Sequence, residues 1–156
     1  MSIFVNTVDS IGDEALTNSI IDRSITEILD NYATSIGSTA FNGCSALTTA
    51  DFPAATSIGQ NAFYGCSALT TVNFPVATSI GDSAFQLCSA LTTLILRSAT
   101  MATLSSTMAL NKTPIASGTG YIYVPAALVD SYKAASNWST YANQIRAIED
   151  YPEICG

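Results

Sequence analysis

Cys44, Cys66 and Cys88 recur at an interval of 22 residues, and three thiols so placed pose the first chemical question of this chain. As thiolates they would be soft metal ligands. Zinc sites, however, use four ligands and draw them in close pairs such as C-x2-C, which this spacing does not supply. Cysteines on adjacent layers come within disulfide range, yet side chains that project in parallel aim poorly at one another. The pattern favours reduced, buried thiols packing as small apolar groups, with a disulfide and a metal site as the weaker alternatives. Cys155 stands outside the register and reads as an exposed thiol able to form intermolecular disulfides.

Catalytic constellations are scarce. The sequence contains no histidine, which closes the Ser-His and Cys-His nucleophile schemes. Glycosidase chemistry needs two carboxylates facing one cleft. Asp51 is alone on its face, because the matching positions hold Asn73 and Ile95. Lys112 and Lys133 have no serine partner motif. Asp9, Asp13 and Glu14 match no EF-hand spacing and read as a solvated acidic cap. Asn111-Lys112-Thr113 and Asn137-Trp138-Ser139 fit the glycosylation sequon, but no signal peptide precedes them and both read as chance matches. No catalytic residue, no metal site and no cofactor are therefore expected.

Composition sets the remaining bounds. With 156 residues, the chain is long enough for one domain with a sizeable core. Hydrophobic residues make up 48% and charged residues 11%, the reverse of a disordered composition. The net charge is −7 with five basic residues, so nucleic acid is not an expected partner. No segment reaches the roughly 18 apolar residues of a membrane span. The start lacks a basic region followed by an apolar run, and no wall-anchoring tail follows Ile148, so the chain reads as soluble and not membrane-inserted.

The elements that must position these residues come in repeats. Thr34 to Pro53, Thr56 to Pro75 and Thr78 to Leu96 align without gaps at a period of 22. Ile36, Ile58 and Ile80 correspond, as do Phe41, Phe63 and Phe85, then Leu47, Leu69 and Leu91. Such a period marks a solenoid, whose units enclose a core only by stacking. Within one unit, Leu69, Val72 and Phe74 alternate with Thr71 and Asn73, which predicts a short strand ended by Pro75. Ile58, Ala62 and Phe63 form an apolar stripe that suits a helical turn or two, with Thr56 or Ser57 capping its start and Gly65 in the left-handed conformation at its end. In the third copy Leu87 replaces that glycine, so its turn is expected to close differently.

The pattern I-G-x-x-A-F-x-x-C-x-x-L-x-x-x-x-F-P resembles the BspA-like leucine-rich repeats, also called the Treponema pallidum type, over residues 33–96. The resemblance implies an α/β solenoid with short parallel strands on one face and short helices on the other. It also implies the company such modules keep, since members are often bacterial surface proteins that bind host or bacterial partners. Similar modules occur in tail or virion proteins of phages infecting gut Firmicutes.

The ends read as caps on about five coils. Residues 1–32 form an N-terminal cap with a degenerate repeat. In it, Ser10-Ile11-Gly12 and Ala15-Leu16 match the helical part, and Ile25 and Ile28 match the strand part after a three-residue insertion. Residues 33–96 are the three regular repeats, and 97–120 a distorted fourth coil. Residues 121–149 form a C-terminal strand-helix cap. It consists of a strand over 121–125, a helix over 126–135, and a second apolar face from Trp138, Tyr141 and Ile145. Residues 150–156 read as a mobile tail.

With chemistry closed off, surfaces remain. The outward positions of the strand face are Thr49, Asp51, Thr71, Asn73, Thr93 and Ile95, a flat, nearly uncharged and hydroxyl-rich ladder. On the helical side the variable positions include Tyr64, the best single aromatic anchor. These seven are the expected partner-binding residues. The expected function is a non-catalytic binding module recognising a protein or glycan on a bacterial or host cell surface, carried by a phage particle or a larger adhesin. The alternative is a structural spacer in a tail or surface fibre, without a specific ligand.

Overall fold

The computed structural model describes residues 3–4, 10–11 and 25–155. Expectations placed on Asp9, Gly12, Asp13, Glu14, Ala15, Leu16 and Asp22 lie outside the described residues, as does the side chain of Cys155. The described chain winds into stacked coils whose strands form two parallel sheets. The first carries β1 (Ile3–Phe4), β3 (Glu27–Leu29), β5 (Thr49–Asp51), β7 (Thr71–Asn73), β9 (Thr93–Ile95), β11 (Tyr121–Val124) and β12 (Ile145–Ala147), in that spatial order. The second carries β2 (Ser10–Ile11), β4 (Ser35–Ile36), β6 (Ser57–Ile58), β8 (Ser79–Ile80) and β10 (Thr103–Leu104).

The register is the repeat itself. Thr49, Thr71 and Thr93 pair as neighbours, as do Ile36, Ile58 and Ile80. Matching side chains therefore lie one above another. Phe41 and Phe63 stack at 5.2 Å between ring centroids, and Phe63 and Phe85 at 5.4 Å. Phe52 and Phe74 stack beside them at 5.5 Å, within 5° of parallel. Leu69, Val72 and Phe74 are fully buried, as are Ala62 and Phe63, so the inward assignments hold.

The return arms differ from the expected helix. Their carbonyls and amides form consecutive i to i+3 turns, such as Ala62 N–H to Gly59 O and Cys66 N–H to Phe63 O. Between these, alternate amides reach the next coil: Asn61 N–H to Asp82 O at 3.0 Å, Phe63 N–H to Ala84 O at 2.8 Å and Gly65 N–H to Gln86 O at 2.9 Å. Two left-handed residues per arm turn those groups outward. One is Thr39, Asn61 or Ser83, and the other is Gly43, Gly65 or Leu87. Leu87 takes φ 63°, against 72° at Gly65, so the third turn closes the same way despite its side chain. The helices lie later in the chain: α1 (Pro114–Ser117), α2 (Val129–Ala134) and α3 (Pro152–Cys155).

Threonines clip the coils together. Thr56 Oγ1 donates to Thr34 O at 3.1 Å, and Thr78 Oγ1 to Thr56 O at 3.1 Å, so Thr56 holds its neighbouring coil rather than capping a helix. Thr48, Thr70 and Thr92 do the same on the carbonyls of Thr26, Thr48 and Thr70. Each of those carbonyls also accepts the backbone N–H of the same threonine, using both lone pairs. The Ile-Gly step has a steric cause. A Cβ on Gly59 would lie 2.7 Å from the backbone of Gly37, and one on Gly81 2.6 Å from that of Gln60.

At the N-terminal end, Ser10 pairs with Ser35 and Ile11 with Ile36, which places the three-residue insertion where the sequence reading put it. At the C-terminal end, Tyr121 pairs with Thr93 as the expected strand, and α2 covers most of the expected helix. Ile145 departs from expectation: it is buried in β12, paired with Ile122, rather than on a helical face. The tail is docked instead of free. Tyr151 and Ile154 pack on Ile95, Tyr123 and Ile148, and Arg97 donates to the Ile154 carbonyl at 3.1 Å. Apolar side chains left over on the outer face of the sheet give this segment somewhere to bury its own.

Candidate recognition face

Three-residue strands present two outward positions per coil. Strand pairing aligns the first positions as Glu27, Thr49, Thr71, Thr93 and Tyr121. The second row is Leu29, Asp51, Asn73, Ile95, Tyr123 and Arg146. Between them Ile28, Ala50, Val72 and Leu94 point into the core. The pleat thus separates a recognition layer from the packing layer with a period of two.

Five of the seven expected residues come together here. Thr49 is exposed, and Asp51, Thr71, Asn73 and Thr93 are half-buried. The Asn73 amide donates to Asp51 Oδ1 at 3.0 Å, tying two coils through side chains. Ile95 lies in the same row but is only 5% exposed, because the docked tail covers it. It is removed from the contact surface for that reason. Tyr64 sits on a return arm, across the phenylalanine columns from the sheet, and does not join the others.

Sequence reasoning missed Glu27, Leu29 and Tyr121. The first two lie 22 residues before Thr49 and Asp51, so the repeat register held their signal. Tyr121 lies 28 residues after Thr93, and the longer fourth coil hid the correspondence. Its ring has the Arg146 guanidinium 4.7 Å from the centroid, a cation–π contact. The Tyr123 hydroxyl, on the covered part of the face, has its pKa raised by burial and then by its tyrosine and glutamate neighbours.

The thiols are not part of any surface. Cys44, Cys66 and Cys88 are unoxidised and buried. Cys66 Sγ donates to Phe41 O at 3.2 Å and Cys88 Sγ to Phe63 O at 3.1 Å. A hydrogen bond with Cys44 lowers the Cys66 pKa, but the hydrogen bond with Cys88 and burial outweigh it and raise it far above its ordinary 9.0. A thiol so held is neither nucleophile nor ligand. Among the described residues no helix is long and apolar enough to cross a membrane, and no cluster of His, Cys, Asp and Glu could hold a metal ion.

A right-angled run of parallel coils with an intercoil hydrogen-bond ladder and a polar outer strand face defines a leucine-rich-repeat solenoid. The family model for the BspA type leucine rich repeat region, in six copies, matches residues 2–116, and the chain belongs to that family. Six copies exceed the five or so coils read from sequence, and β1 supplies a strand one coil ahead of the degenerate repeat. No curated protein matches the chain.

Proposed function

We propose that this protein is a non-catalytic recognition module whose open strand face contacts a protein or glycan on a bacterial or host cell surface. Its setting would be a surface adhesin or a phage particle. The observation that carries the reading is the row Thr49, Thr71 and Thr93 beside the Asp51–Asn73 pair, polar groups held in fixed register on a rigid sheet. Family membership supports a binding or structural role and leaves the ligand to be found. Rigid scaffolds carrying unengaged polar groups suit recognition because little side-chain freedom is lost on contact.

Binding of the fluorescently labelled chain to panels of intact bacterial and host cells tests this. The double variant Asp51→Ala, Asn73→Ala should lose at least tenfold in affinity, and Tyr64→Ala should bind as the parent does. The reverse ranking would move the site to the return arms. A parent chain that adheres to no cell in the panel would favour the spacer reading instead.

A further inference from the structure

Resting on that recognition reading, we infer that the open strand face takes an extended β-1,4-linked oligosaccharide lying along the stack axis, one sugar ring per coil. The first argument is area. Between Glu27 and Thr93 the face spans four strands of three residues. At about 4.8 Å between strands and about 3.3 Å per residue, that is a patch of about 150 Å². A stable protein interface needs about 800 Å² per partner and an apolar centre. The apolar part of this face, Ile95 and Tyr123, is already occupied by the chain's own Tyr151 and Ile154. A narrow rod fits what remains, and a globular partner does not.

The second argument is hydrogen-bonding capacity. The hydroxyls of Thr48, Thr70, Thr56 and Thr78 are all spent on neighbouring carbonyls. Thr49 and Thr71 make no hydrogen bond among the described residues, and each can donate one and accept two. Beside them the Asp51–Asn73 pair presents a carboxylate coupled to an amide, a donor and acceptor set matched to vicinal hydroxyls. Charge agrees. The open positions carry Glu27 and Asp51 and no base, which suits a neutral polyhydroxylated chain and repels phosphate or uronate.

The third argument is register. Identical threonines recur at each parallel-strand spacing, close to the ring-to-ring advance of an extended β-1,4-linked pyranose chain. Each ring would meet the same hydroxyl. One coil beyond Thr93 the row ends at the half-exposed ring of Tyr121, an aromatic surface for a terminal sugar.

Titration of the full chain with cello- and chito-oligosaccharides of one to six rings, followed by NMR chemical-shift mapping, tests the inference. Affinity should rise with each ring to about four and then level off, with shifts confined to the rows through Thr71 and Asn73. Thr71→Val and Asn73→Ala should each weaken binding at least tenfold, while Thr56→Val, on the other sheet, should not. Near-ultraviolet circular dichroism of Trp138 checks that each variant is folded. The inference is overturned by no binding in either series, by affinity independent of length, or by indifference to Thr71→Val and Asn73→Ala. If cell binding is lost in those two variants but also after protease treatment of the cells, a protein is the partner: the sugar inference fails and the recognition reading stands. Cell binding indifferent to both variants, with no sugar bound, overturns both.

Discussion

Leu87 holds a backbone conformation that its own side chain opposes. A left-handed φ of 63° with a Cβ costs about 1–2 kcal/mol, and the side chain is 40% exposed, so burial returns little. Leu87→Gly should stabilise the fold by up to about 1 kcal/mol in chemical denaturation, the remainder being lost to the freer unfolded chain. Phe63→Ala removes a ring stacked on two others and should cost about 3–5 kcal/mol, whereas Thr71→Val should change stability by well under 1 kcal/mol. Similar losses at both positions would contradict the inward and outward assignment. Titration adds a third expectation. The Cys66 thiol, and the Tyr132 and Tyr141 hydroxyls raised by burial, are held protonated by the fold. A raised pKa gives stability that is whole below the unfolded value and fades above it. Denaturation midpoints should thus be flat near neutrality and fall from about pH 9 upward, and native Cys66 should resist alkylation until then. Inward residues were legible in the sequence because alternation and the 22-residue period both marked them. The fates of Ile95 and Leu87 were not, since one depends on a distant tail and the other on backbone geometry that composition does not encode.

Two-residue strands and a side-chain clasp decide how the elements fit. The outer edge of β10 has no further strand beside it. Tyr132 Oη accepts from Ala102 N–H at 2.8 Å, Trp138 Nε1 donates to Ala102 O at 2.8 Å, and Asn137 Nδ2 donates to Leu104 O at 2.7 Å. Three side chains thereby stand in for a missing neighbour and leave that edge no template for aggregation. Tyr132→Phe should cost about 1–3 kcal/mol, measured by urea denaturation, because Ala102 N–H would stay buried without a partner. A smaller loss would mean that water enters and replaces the hydroxyl. Trp138 and Tyr141 were legible as buried, but not as the clasp they form with Tyr132. Strands as short as β4, β6 and β8 carry too few residues to show alternation, so the second sheet was read as part of a helix. At the first corner, Asp30 Oδ1 accepts from Tyr32 and Ala33 amides where later coils use Phe-Pro, an equivalence that residue type alone conceals.

Across the whole molecule, one joint is used again and again. The Thr34–Thr56–Thr78 clips, the Ile-Gly step and the phenylalanine columns repeat without adjustment from coil to coil. Excision of residues 56–77 should therefore leave a cooperatively folding protein, shorter by one layer, with a single unfolding transition at a lower temperature. An unfolded product would show that the coils are not interchangeable. The repeat register made this architecture legible at its centre, and its loss in the fourth coil is why the clasp and the docked tail were not. Interchangeable layers also have a hereditary side. Near-identical stretches of coding DNA invite slippage between copies, and each slip would add or remove a whole rung while leaving the reading frame of the core intact. The reach of the molecule is thus a trait that can drift by steps, without passing through broken intermediates.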